Sequence, residues 1–234
     1  MIYVTSDLHG YDLNLFLDFL NWSGFDEERD RLIVLGDVID GNGDGGVSLL
    51  RWMMRKPCVT LLRGNHEVCL VSMQNIFLNA KDGKLGDAFP GQLLPFTAWV
   101  NDDGANTFLA LKKLCNEDPE ELRKIFDYLA KARLYLEVTA GGKNYVLVHS
   151  GLKNFSPERP LSDYKIHELI IARPALEDRY YEDKTVIFGH TPTERLGKKG
   201  RMVVTDTWID IDTGAGHGGT PMLLRLDDLK AFYV

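Results

Sequence analysis

The chain has 234 residues, 44% hydrophobic and 26% charged, enough for one large domain with a real core and too few for two. Its formal net charge of -7 argues against general nucleic-acid binding, which needs a basic field; Lys198-Lys199-Gly200-Arg201 reads as a solvated turn. Cys58, Cys69 and Cys115 fit neither a disulfide framework nor a CxxC pattern. No apolar run reaches the roughly 18 residues that span a bilayer and no signal pattern opens the chain, so a cytoplasmic protein without a membrane role is expected.

Residues 1–5 read as a strand. A helix follows over 12–22, with Leu13, Phe16, Leu17 and Leu20 at helical spacing. A strand at 31–35, a glycine-rich stretch at 41–46 leading into a helix that ends near 55, and a strand at 59–62 complete a right-handed parallel unit. Strand signal then almost vanishes over 68–133. Helical periodicity appears at 68–79, 97–115 and 119–131, the last behind Asp118-Pro119, a cap with proline at the first helical position. The loops between them hold Gly83, Gly86, Pro90, Gly91 and Pro95. Two readings stand equal: an insertion beside the strand tips that shapes access to a site, or a cover for one sheet face.

Strands return at 134–139 and 145–149, joined by Gly141-Gly142, a hairpin signal. A short helix near 162–171 and a strand at 185–188 follow. Four short strands, 202–205, 208–211, 222–225 and 231–234, are spaced as in an antiparallel sheet. The expected fold is α/β: one domain over 1–234, with two packed mixed sheets and helices outside.

Five apolar runs end in the same way, with Asp, Asn or His beside glycine. They close on Asp7-Leu8-His9-Gly10, Gly36-Asp37-Val38-Ile39-Asp40, Arg63-Gly64-Asn65-His66-Glu67, His149-Ser150-Gly151 and Gly189-His190-Thr191. Ligands of open α/β sheets bind beyond the carboxyl ends of the strands, so these tips should converge. Carboxylate, amide and imidazole donors together suit manganese, iron or zinc.

With these motifs in this order, the sequence resembles the calcineurin-like metallophosphoesterases. Within them it is most similar to the phosphoprotein phosphatase branch, which includes small bacterial and phage serine/threonine phosphatases. The resemblance implies a four-layer αββα sandwich and two divalent metal ions, manganese by the family's habit, with iron or zinc as alternatives. Asp7 and His9 match the ligands of the first metal, Asp37 the bridging carboxylate, and Asn65, His149 and His190 the ligands of the second. Pro192 replaces a further histidine, as elsewhere in that branch. The resemblance also implies attack by a metal-bridging hydroxide on a phosphorylated substrate. His66 would protonate the leaving oxygen, Asp40 would orient it, and Arg173 would bind the phosphate.

One departure bears on substrate. The branch follows Asp40 with Arg-Gly, and the arginine contacts phosphate; this chain has Gly41-Asn42. Arg63 and Lys153 are the candidate replacements. The leading expectation is a serine/threonine phosphatase-like phosphomonoesterase. Ile209-Asp210-Ile211-Asp212-Thr213-Gly214-Ala215 is also similar to a segment of the symmetrical diadenosine-tetraphosphate hydrolases, which makes a nucleotide hydrolase the alternative. A non-catalytic phosphate-binding protein is the remote one. His167 is expected to face solvent, and His217 sits on a glycine-rich loop that either stays at the surface or reaches the site. Trp52, Trp99 and Trp208 read as core.

Overall fold

The computed structural model describes residues 1–80, 86 and 91–234; Gly83 and Pro90 of the anticipated loops lie outside them. Strands β1 (Ile2–Thr5), β2 (Arg31–Val34) and β3 (Val59–Leu61) run parallel, connected by helices α1 (Leu13–Ser23) and α2 (Val47–Met53). Asp12 caps α1 by accepting from Leu15 N at 3.0 Å, and Gly24 ends it in the left-handed region. Next come α3 (Asn65–Ser72), α4 (Gln74–Leu78), α5 (Leu93–Asn101), α6 (Ala105–Glu117) and α7 (Pro119–Lys131). The chain returns through β4 (Tyr135–Ala140), β5 (Lys143–Val148), α8 (Ile166–Ile170), β6 (Thr185–Phe188), β7 (Val203–Val204), β8 (Trp208–Asp210), β9 (Met222–Arg225) and β10 (Lys230–Tyr233).

The strands form two mixed sheets of five, ordered β10-β9-β1-β2-β3 and β4-β5-β6-β8-β7. Strand alternation explains how they pack. Val4, Ile33 and Leu35 on one sheet meet Leu147, Ile187 and Ile209 on the other, and all are buried. The opposite faces carry Tyr3, Leu32 and Val34 against α1, α2 and the central helices, and Val146, Val186 and Phe188 against the α8 side. The result is the expected four-layer sandwich.

Three expectations need correction. The last four strands do not make one antiparallel sheet. β8 lies parallel to β6, whereas the β9–β10 hairpin joins the first sheet with β9 antiparallel to β1. Met222 and Leu224 face the space between the sheets while Leu223 and Phe232 face the α1 side, a pattern that either sheet would accept. The single helix at 97–115 is two: α5 starts earlier with Pro95 in its first turn, where no amide partner is lost, and the backbone leaves helical geometry at Asp102 (ψ -116°) before α6 starts behind Gly104, where an added Cβ would strike the Trp99 indole. The helix at 68–79 starts at Asn65, so the Asn-His-Glu motif is its first turn, and it is interrupted at Met73.

Helix α7 matches its predicted span because every signal is local. Asp118 accepts from Glu121 N at 3.0 Å, Pro119 opens the helix, and Leu122, Ile125, Phe126 and Leu129 are buried on one face. Gly141 and Gly142, both at positive φ, turn the β4–β5 hairpin. Among the described residues, no helix is long and apolar enough to cross a membrane.

Candidate active site

Seven non-glycine residues among those described have positive φ, and five of them are Asp7, His9, Asp37, Asp40 and His190. The left-handed region costs an L-residue roughly 1–2 kcal/mol, least for Asp, Asn and His, and such strain gathers at functional sites. The tips of β1, β2 and β6 therefore end in sharp turns that lift polar side chains into one cleft. Gly36, at φ +104°, lets the tips close: a Cβ there would strike the Gly64 backbone and lie 2.9 Å from His149 Nδ1.

The turns are clamped by Glu67, which is fully buried. Its carboxylate accepts from Asp37 N (2.9 Å), Val38 N (2.8 Å), Ile39 N (3.4 Å) and Gly64 N (2.8 Å), so one anion satisfies the backbone of both loops. Burial and the Asp37 charge nevertheless push its carboxyl above the usual range. The sequence shows Glu67 only as the end of a motif, with nothing to indicate this clamp.

His149 Nδ1 donates to Leu35 O at 2.9 Å, and Nε2 faces Asp37 Oδ2 (3.3 Å) and the Asn65 amide (3.0 Å); Asp37 raises the imidazole's pKa against burial, so without a cation Nε2 holds a proton. The same amide atom lies 3.0 Å from His190 Nδ1 and 3.2 Å from Asp37 Oδ2. As an oxygen, it adds an acceptor to the cluster, an arrangement that a cation resolves; as a nitrogen, it satisfies the cluster alone. Asp37, His149 and His190 offer one group of closely spaced donor atoms, and His9, Asp37 and His66 offer another. Asp37 Oδ2 belongs to both surroundings, 3.9 Å from His9 Nε2 on one side and 3.3 Å from His149 Nε2 on the other. Asp7 Oδ1 stands 3.9 Å from His9 Nε2, and Asp7 Oδ2 accepts from His190 N at 2.9 Å. These donors fit a pair of divalent ions.

The electrostatics point the same way. Burial holds the His9 imidazole down at about 4, and burial with the neighbouring His149 holds His190 down at about 3, so both rings are neutral donors at pH 7. Burial, Asp212 and Asp37 push the Asp7 carboxyl well up, and burial foremost raises Asp212 to about 6. Crowded buried carboxyls of this kind call for positive charge. Asp212 belongs to the Asp210–Ala215 segment but carried no assigned role in the sequence.

His66 differs from its neighbours. Burial would lower its pKa, but Asp37 and the hydrogen bond to Asp40 outweigh burial and raise it to about 10. Its Nδ1 donates to Asp40 Oδ2 at 2.7 Å, while Nε2 stands 3.7 Å from Asp37 Oδ2. Asp40 is itself fixed from the central helices. Its Oδ2 accepts from Trp99 Nε1 on α5 at 2.9 Å, and its Oδ1 from Thr107 Oγ1 on α6 at 2.6 Å. Asp103, between those helices, places Oδ2 3.8 Å from His66 Nδ1. Trp99 is therefore more than core. Its apolar surroundings, Phe77 and Phe96, conceal the partner of its N–H in the sequence.

Asp7, His9, Asp37, Asn65, His66 and His190 open onto a cleft of about 450 Å³ that Gly41, Arg173, Arg195 and His217 also line. Arg173 donates from Nη1 to Thr191 Oγ1 at 3.5 Å. Neither Arg63 nor Lys153, the candidate replacements for the missing arginine, lines this cleft: Lys153 lines a neighbouring groove, and Arg63 Nε is buried without a hydrogen-bond partner. His217 does reach the cleft, His167 is exposed on α8, and Arg195 is a cation that sequence reasoning missed.

The calcineurin-like phosphoesterase family model matches residues 1–228. Serine/threonine-protein phosphatase 1 of Salmonella typhimurium is 26% identical, over 96% of this chain and 91% of that protein. A symmetrical bis(5'-nucleosyl)-tetraphosphatase of Nitrosomonas europaea is 36% identical over 72 residues, which cover 30% of this chain and 26% of that protein. Among solved structures, a putative diadenosine tetraphosphatase superposes with a TM-score of 0.66 at 17% identity, covering 100% of this chain and 92% of its own. A protein serine/threonine phosphatase from Saccharomyces cerevisiae does so with a TM-score of 0.60 at 13% identity, covering 100% and 79%. At such identities the structural likenesses speak for the fold.

Proposed function

Since the chain belongs to the calcineurin-like phosphoesterase family of metal-dependent hydrolases, we propose that it hydrolyses phosphomonoesters, with serine/threonine phosphoproteins as the favoured substrates. The observation that carries this reading is the His66–Asp40 pair, set beside two groups of closely spaced donor atoms that share Asp37.

Asp7 and His9 would hold a first divalent ion, Asn65, His149 and His190 a second, and Asp37 both; manganese suits this donor set, with iron or zinc as alternatives. When bound, such ions polarise a phosphoryl oxygen and supply an activated water near neutral pH. The protein's own residues do the rest. His149 commits Nδ1 to Leu35 O, which aims Nε2 at Asp37 and the Asn65 amide, and Glu67 holds the loops of Asp37 and Gly64 at fixed separation. His66 carries a proton on Nε2 that it can deliver to a leaving oxygen, since Asp40 holds Nδ1–H and stabilises the imidazolium. Arg173 offers a fork for the phosphate oxygens at the cost of one long hydrogen bond. We assign the helical stretch 68–133 to the same domain as an insertion that supports the proton donor. The half-buried free thiols of Cys58, Cys69 and Cys115 favour a reducing cytoplasm.

The test is hydrolysis of an aryl phosphomonoester with Mn²⁺, against an EDTA-treated control and the matched phosphodiester. Metal-dependent turnover of the monoester is expected, and turnover of the diester alone would refute the reading. A second reading, hydrolysis of dinucleoside polyphosphates, draws support from Gly41 and from the tetraphosphatase match over 72 residues. A phosphopeptide assayed beside diadenosine tetraphosphate separates the two.

A further inference from the structure

The backbone at Gly41 is built for glycine. Its φ is +77°, and an added Cβ would meet His9 O at 3.1 Å and His9 Cβ at 3.3 Å. The space nearby is taken by another part of the chain. Asn42 Nδ2 donates to His9 O at 3.2 Å and to Ala215 O at 3.3 Å, pinning the 3₁₀ turn Ala215–His217 to the glycine loop. Gly216 lies on the His9 ring so closely that a Cβ would sit 2.6 Å from Cδ2. The Gly41-Asn42 pair thus exchanges an arginine for a docked turn, and the turn delivers His217 to the cleft.

That exchange also opens a route beyond the metal residues. Arg195, on the turn Thr193–Leu196, and His217 line both the cleft and an adjoining pocket of about 430 Å³, which Lys199 and Thr220 line as well. Five aspartates line the cleft, Asp7, Asp37, Asp102, Asp103 and Asp212, against two arginines, Arg173 and Arg195. The Arg195 guanidinium has no hydrogen-bond or ion-pair partner among the described residues. Lys199 has only an exposed pair with Glu194 at 3.1 Å, a contact of little strength that a dianion can displace.

We propose that Arg195, His217 and Lys199 form a second anion subsite, which receives an additional phosphate of the same substrate beside the reacting one. This rests on the phosphoesterase reading above and narrows it to substrates bearing two or more phosphates. A guanidinium, an imidazole and an ammonium line this pocket against one carboxylate, Glu194, whereas five aspartates line the cleft, so the pocket is the more favourable place for such a group.

Calorimetry with Mn²⁺ in excess tests the subsite without turnover. Wild-type protein should bind methylenediphosphonate at least tenfold more tightly than methylphosphonate. Arg195→Ala and Lys199→Ala should each lose most of that preference, and Arg195→Lys should regain part of it. Both side chains are exposed, so the fold should persist, which circular dichroism verifies. No preference in the wild type, or a full preference in Arg195→Ala, overturns the proposal. Two kinetic ratios identify the source of the second phosphate: kcat/KM for diadenosine tetraphosphate over an aryl phosphate, and for a doubly over a singly phosphorylated peptide. A fall of about tenfold in either ratio in Arg195→Ala supports the subsite, and unchanged ratios overturn it. Metal-dependent aryl phosphatase activity that persists after that failure leaves the phosphoesterase reading standing; its absence removes that reading separately.

Discussion

The two walls of the cleft are constructed in opposite ways. On the wall built from the tips of β1–β3 and the central helices, the carboxylates that hold the loops and the imidazole are buried and answered: Glu67 by four amides, Asp40 by an imidazole, an indole and a hydroxyl. On the wall built from the turns at 193–196 and 215–217, Arg195 and His217 are exposed, and the second turn is tied down by Asn42 and by Gly216 against the His9 ring. Groups that must sit in one geometry for chemistry are over-determined, whereas groups that select among substrates are left free to meet them.

Substitutions can break or sharpen this contrast. The largest effect should come from Asp37→Asn, which removes the carboxylate common to both donor groups. Turnover should fall by at least about 10³-fold, and metal content measured by atomic absorption should drop with it. Glu67→Ala leaves four buried amides without an acceptor and should lower unfolding free energy by roughly 3–5 kcal/mol in urea titration. A loss under about 1 kcal/mol would deny the clamp. His66→Asn should cost on the order of 10²–10⁴-fold in kcat while metal stays bound.

Trp99→Phe keeps the ring and deletes only the N–H that Asp40 accepts. We expect a several-fold loss in kcat with KM little changed, and an upward shift of the basic limb of the pH–rate profile, because an Asp40 carboxylate with one donor fewer holds the His66 proton more strongly. A mere packing role would leave that limb in place. The smallest effect concerns stability and pH. In metal-free protein the folded-state pKa of His66, about 10, exceeds the ordinary 6.5, so its contribution is complete below pH 6.5 and is lost as pH rises towards 10. His149 is displaced in the same direction. The Tm of EDTA-treated protein should therefore fall between pH 7 and 9.5, and His66→Asn should flatten that slope.

What the sequence disclosed follows the same division. The strand tips were legible because an apolar run followed by glycine and Asp or His is a local pattern, and α7 was legible to its ends because its cap, proline and apolar stripe lie within its own span. The break at Asp102 was not, since helical periodicity continues across it. Sheet membership of β9 and β10 depends on which surface their alternating residues meet, and alternation alone does not choose. Arg195 was hidden, and the place of His217 left open, for a related reason: turns separated by some twenty residues become neighbours only in the folded chain.

The left-handed backbone at Asp7, His9, Asp37, Asp40 and His190 changes how mutational scans of this protein should be read. Asparagine settles in that conformation nearly as well as aspartate, whereas valine, isoleucine and threonine resist it. A β-branched replacement would bend the peptide as well as delete a donor, so its defect would mix two losses. Asparagine at the aspartates alters the donor and spares the turn. For anyone transplanting this centre into another scaffold, the twist of the main chain belongs to the blueprint as much as the side chains do.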